Sequence, residues 1–196
     1  MGAAPGSEII KRWPEESREA AQLVIDTYGE PDEATESFLT WQGAGPWKRV
    51  VASRTFFQHA FPAPHNDSVE SVIDYKVPVD KITPVAEFDG SVVVERTAGE
   101  VSARCHDEQA NFLALNLMHD IVTGQRTVSE AKQYYATEFL DARRNADTPY
   151  MERLRFQPGR DTADPDRRVL SDEQLETAMA QGTGPANPSP RRPGSF

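Results

Sequence analysis

The sequence predicts an α+β domain in two layers: an antiparallel sheet of about five strands, one N-terminal helix and two C-terminal helices. Three observations lead there. Short β-prone runs fill the middle of the chain, at residues 37–42, 47–53, 68–77, 91–96 and 100–105. Longer runs with helical spacing of apolar residues lie before and after them. The runs do not alternate in βαβ order and carry no glycine-rich phosphate loop, which disfavours doubly wound and P-loop nucleotide folds.

Each element has a local cause. Pro14-Glu15-Glu16 opens the first helix, with acids where the helix dipole favours them, and Gly29 with Pro31 ends it. Gly43-Ala44-Gly45-Pro46 joins the first two strands as a hairpin loop. Residues 55–67, with Pro62, Pro64, His59 and His65, read as an ordered loop. In residues 68–77, Val69, Ser71, Ile73, Tyr75 and Val77 share one face, as in a half-buried antiparallel strand. Phe88-Asp89-Gly90 is a turn signal, and Thr97-Ala98-Gly99 closes the clearest hairpin. Asp107 caps a helix that Gly124 stops, and Thr127-Val128-Ser129-Glu130 is a capping box for the last one.

The chain has 196 residues, a net charge of -10 and 38% hydrophobic content. Its mean hydropathy is -0.61 and its pI about 4.9. That acidic balance disfavours nucleic acid and anionic membrane surfaces as partners. No apolar run is long enough for a transmembrane helix, and the N-terminus lacks a signal-peptide core. One cysteine, Cys105, excludes an internal disulfide and fits a reducing compartment, so the expected location is cytoplasmic. The domain is expected at residues 14–144, after a flexible start at 1–13. From residue 145 on, Pro, Gly, Asp and Arg predominate, predicting an extended or disordered tail with one short helix at 171–181.

Four groups of residues could carry chemistry. His59, His65 and Asp67 offer two imidazoles and a carboxylate, a transition-metal donor set; the alternative is solvent-facing loop histidines with Asp67 forming a turn. Asn116, His119 and Asp120 fall at i, i+3 and i+4 on the polar-studded helix 107–123, as a ligand site or with Asn116 and His119 tied to neighbouring backbone and Asp120 pointing to water. Cys105 and His106 pair a nucleophile with a base, but neighbours on a strand face opposite ways, which puts Cys105 in the core. Trp41 and Trp47 either anchor a binding surface or lie under the first helix. The charged face formed by Glu95, Glu100, Ser102 and Arg104 is explained by cross-strand ion pairing.

Residues 27–50, TYGEPDEATESFLTWQGAGPWKRV, resemble small helix-then-sheet modules of bacterial outer-membrane assembly lipoproteins and β-lactamase inhibitor proteins. Those modules bind other proteins. Residues 88–124 are similar to bacterial proteins known only as domains of unknown function, a likeness that implies no activity and no site residues. The leading expectation is therefore a soluble bacterial binding or accessory module for a protein or small ligand, with no cofactor. The alternative is a metal-dependent, hydrolase-like enzyme using His59, His65, Asp67 and His119.

Overall fold

Six strands pair into one antiparallel sheet: β1 (Glu33–Ala34), β2 (Phe38–Gln42), β3 (Arg49–His59), β4 (His65–Asp74), β5 (Val92–Glu95) and β6 (Glu100–Cys105). Their spatial order is β1-β2-β3-β4-β6-β5. The structure is a computed structural model that describes residues 4–182. Seven α-helices occur among the described residues: α1 (Gly6–Ile9), α2 (Glu15–Tyr28), α3 (Val79–Phe88), α4 (Glu108–Thr123), α5 (Val128–Arg143), α6 (Pro149–Glu152) and α7 (Asp172–Gln181). None is long and apolar enough to cross a membrane. The chain divides into two units, Met1–Asp164 and Pro165–Phe196.

Strand alternation sorts the first unit into a helical side and an open side. Leu39, Trp41, Val50, Ala52, Val69, Ile73, Val101 and Ala103 are buried and belong to one core cluster. Helix α4 locks onto this face through Asn111, whose Nδ2 donates to Val69 O at 3.1 Å and Ser71 Oγ at 2.9 Å. Helix α2 contacts β3 and β4, while α5 packs against α3 and α4. The opposite face mixes ion pairs with apolar side chains such as Phe38, Val51 and Val93. Arg49 forks onto Glu100 at 2.9 and 2.7 Å, Lys48 adds a contact at 2.9 Å, and Ser102 donates to Glu70 at 2.5 Å. These cations push the Glu100 carboxyl down to about 2, Arg49 contributing most.

Caps fall where local sequence places them. Asp107 Oδ1 accepts from Ala110 N at 2.8 Å, and Gly124 ends α4 in the left-handed conformation. Thr127 and Glu130 complete a reciprocal capping box on α5, as Ser171 and Gln174 do on α7.

Four expectations are corrected. Residues 55–59 and 65–67 belong to the two arms of a long hairpin rather than a loop, with Phe57 opposite Asp67, His59 opposite His65, and residues 60–64 as the turn. A register shift between Ala52 and Phe57 hides that pairing from a simple alternation count. Helix α3 has no counterpart in the sequence reading, because Pro84 stands inside it; Val85 and Phe88 are nevertheless buried. The start is not loose from residue 6 on. Ile10 and Trp13 are buried, and Trp13 Nε1 donates to Glu36 O at 2.9 Å.

The domain also runs past residue 144. Met151 is buried, Gly159 N donates to Asp74 O at 2.7 Å, and Thr162 Oγ1 donates to Gly99 O at 2.6 Å. Hydrogen bonds and the packing of Tyr150, Met151, Leu154 and Phe156 on the core thus order a segment whose composition reads as disordered. In the second unit, α7 leaves Leu175 and Met179 exposed and buries no residue. The part of the expected tail at 183–196, like residues 1–3, lies outside the described residues.

Candidate metal centre

The alternation that turns Val69, Ser71 and Ile73 toward the helices continues backward along β4 to Asp67 and His65. Strand β6 pairs with β4 so that Cys105 stands opposite Val69. Strand β3 brings His59 opposite His65. The turn from α3 to β5 adds Asp89 and Ser91, and the start of α4 adds His106 and Asp107. Three histidines, one thiol and three carboxylates therefore meet at one end of the sheet.

His65 is the centre of this cluster. Its Nδ1 lies 2.8 Å from Ala63 O, which fixes the proton on that nitrogen and turns Nε2 inward. Nε2 is 2.9 Å from Asp67 Oδ1 and 3.4 Å from Cys105 Sγ. Asp67 is 1% exposed; Ser91 Oγ donates to its Oδ2 at 2.5 Å, while its Oδ1 has only the His65 ring beside it. His59 Nδ1 is 3.4 Å from Asp67 Oδ2, and its Nε2 is 3.7 Å from Asp89 Oδ1. The His59 and His65 ring centroids are 5.1 Å apart.

The electrostatics follow from these contacts. The Asp67 carboxylate raises His65 above its ordinary value, against the opposing effect of burial. Burial works to raise Asp67 as well, but His65 and Ser91 outweigh it and hold that carboxyl low. Asp89 is raised by burial. Burial and the nearby Asp67 and Asp107 charges push the Cys105 thiol well up.

Among the described residues, two groups each bring their donor atoms within 4.8 Å of one another: His59, His65 and Asp67, and His65, Cys105 and His106. Both contain His65. A cleft of about 540 Å³, lined by Gln58, His59, Ala60, Pro64, His65 and Asn66, opens onto the first set.

The other sequence candidates lie elsewhere. His119 is twelve residues beyond the Asp107 cap, roughly 18 Å along α4, so it does not join the histidine cluster. Its Nδ1 meets Tyr75 OH at 2.8 Å, and its ring stacks on Phe156 with centroids 4.3 Å apart. Asn116 binds backbone, donating to Tyr150 O at 2.9 Å and Arg153 O at 2.8 Å and accepting from Arg155 N at 2.7 Å. Asp120 is buried rather than facing water; it pairs with Arg126 and accepts from Tyr150 OH at 3.0 Å. These three residues tie the segment after α5 to the domain.

Trp41 and Trp47 are each 2% exposed and present no surface to a partner. Trp41 Nε1 donates to Gly29 O at 2.9 Å; Trp47 Nε1 donates to Glu108 Oε1 at 2.5 Å, its ring stacked on Phe112. What sequence reasoning missed is the company of His65: Cys105, His106, Asp89 and Ser91. The available signal was the two-residue alternation, which puts residues 65, 67 and 69 on one face. Comparisons with protein families, with curated proteins and with solved structures each returned no match for this chain.

Proposed function

We propose that this chain is a metal-binding module that holds a divalent transition metal at Nε2 of His65. One observation carries this reading. The Ala63 carbonyl fixes the far nitrogen of His65, so its near nitrogen faces a buried carboxylate oxygen that has no polar partner besides that ring. Two electron-rich atoms 2.9 Å apart need a cation near them. A proton can serve, and the raised pKa of His65 reflects that; a metal ion serves the same electrostatic need and adds ligand bonds. The set expected from sequence, His59, His65 and Asp67, supplies three donors; His119 does not contribute.

The role is that of a small binding or accessory component, which is also what the acidic composition favours. Hydrolysis is the second reading, favoured by the cleft that opens beside His59 and His65. It predicts metal-dependent cleavage of simple ester substrates that disappears on chelation.

Elemental analysis of the full chain, purified without a histidine tag, tests the metal reading. About one equivalent of zinc or a related metal is expected, and loss of it in His65→Ala. Metal below roughly one-tenth of an equivalent, with no change in melting temperature on adding zinc, overturns it. A ligand that binds only the folded state, present at 100 times its Kd, adds about 2.7 kcal/mol to stability.

A further inference from the structure

Cys105 and His106 are not part of the set expected from sequence, yet they face the same His65 nitrogen. Cys105 Sγ lies 3.4 Å from His65 Nε2 and 3.5 Å from His106 Nδ1. The outward nitrogens of both imidazoles are already engaged. His65 Nδ1 meets Ala63 O at 2.8 Å, and His106 Nε2 meets Asp107 Oδ2 at 2.8 Å. Asp107 is itself immobilised, because its Oδ1 caps α4. An acceptor behind each ring holds the proton on the far side and leaves a lone pair on the near side, as in carboxylate–histidine–metal arrangements.

With both rings neutral, as metal binding requires, two nitrogen lone pairs converge on one sulfur. A neutral thiol has a single S–H and can satisfy only one of them. In tetrahedral zinc, bonds of about 2.0 Å to nitrogen and 2.3 Å to sulfur put those donors roughly 3.6 Å apart. Both observed separations match that edge. His65 offers only one nitrogen, so one ion cannot use both donor sets in full. In the other set, the 2.9 Å from His65 Nε2 to Asp67 Oδ1 is shorter than the roughly 3.3 Å edge between nitrogen and oxygen ligands.

We propose that the metal is held by a thiolate-containing set, His65 Nε2, Cys105 Sγ and His106 Nδ1, and that the site therefore selects zinc, cobalt(II) or copper(I) over magnesium, calcium and manganese. This rests on the metal reading above and names its ligands and metal class. On binding, the Cys105 S–H bond ionises, its proton leaves to solvent, and the sulfur electron pair goes to the metal. The metal provides the positive charge that makes a thiolate tenable at a position only 5% exposed. Asp67, whose Oδ1 lies 2.9 Å from His65 Nε2, adds negative charge next to the ion without ligating it, and His59 with Ser91 holds Asp67 in place. A fourth position stays open for water or a small anionic ligand.

Cobalt(II) titration of the full-length, metal-free chain tests this. One equivalent is expected to bind with tetrahedral visible bands and a near-ultraviolet sulfur-to-cobalt charge-transfer band. Cys105→Ser should lose the charge-transfer band. His106→Gln, at a position whose side chain is 43% exposed, should keep the band and weaken binding by more than the roughly 100-fold upper range of an outer-shell change, with an unchanged circular dichroism spectrum. His59→Gln should keep both band and stoichiometry, and excess magnesium should not displace the cobalt. Cobalt bound without the charge-transfer band overturns the thiolate set and leaves the metal to His59, His65 and Asp67. No cobalt binding, with no zinc in the purified chain, overturns the metal reading as well.

Discussion

Replacing Asn116 by alanine should loosen the segment that extends the domain past α5. Asn116 is 1% exposed, and all three of its hydrogen bonds go to the backbone of residues 150–155. The alanine variant leaves the carbonyls of Tyr150 and Arg153 and the N–H of Arg155 without partners. At about 1 kcal/mol per bond the loss is roughly 3 kcal/mol. For a domain of this size that lowers the melting temperature by roughly 6–12 °C. Thermal melts by circular dichroism measure the total, and hydrogen exchange at Tyr150, Met151 and Arg155 locates it. The coupling has its own check. Arg155→Pro removes the N–H that Asn116 Oδ1 accepts, so adding Asn116→Ala to it should cost about 1 kcal/mol less than in the wild type. Full additivity, or an Asn116→Ala melt within about 1 °C of wild type, would refute the clamp.

Two further outcomes follow from the geometry. Burial lowers the His119 pKa below its ordinary 6.5, so the folded state favours the neutral ring beside Tyr75 and Phe156. Its contribution is full above pH 6.5 and is lost as pH falls through the lowered folded value. The stability difference between wild type and His119→Phe should therefore shrink in wild type's disfavour as pH drops from neutral toward 5; a difference independent of pH refutes the assignment. Gly99 has φ of +70°, and a Cβ there would lie 2.3 Å from Ala163 N. Gly99→Ala should expel residues 159–164 from the hairpin turn, seen as new proteolytic cleavage after Arg160, and unchanged protection would contradict that packing.

Much of the secondary structure was legible because its causes are local. Asp107 and Gly124 bound α4, Thr127 and Glu130 start α5, and Thr97-Ala98-Gly99 turns β5 into β6, each through side chains within a few residues. Helix α3 was hidden by Pro84, and α6 by a polar stretch with prolines at 149 and 158, in which Met151 is the buried residue of the helix. The burial of Trp41 and Trp47 was one of two readings that composition left open, and packing under α2 and against α4 decided between them.

The candidate site divides in the same way. By itself the sequence determined that His59, His65 and Asp67 are close along the chain and that Cys105 faces the interior of a strand. It also determined that Asp107 caps a helix beside His106. Only the tertiary structure decided that these belong together and that His119 does not. Cys105 reaches His65 across 40 residues because β6 pairs with β4 in the register that sets Val69 opposite Cys105. A shift of one residue would turn His65 and Asp67 to the open face and dissolve the cluster. That register is fixed by the fit of Val69, Ile73, Val101 and Ala103 beneath α4, an energy spread over the whole core and carried by no residue of the site.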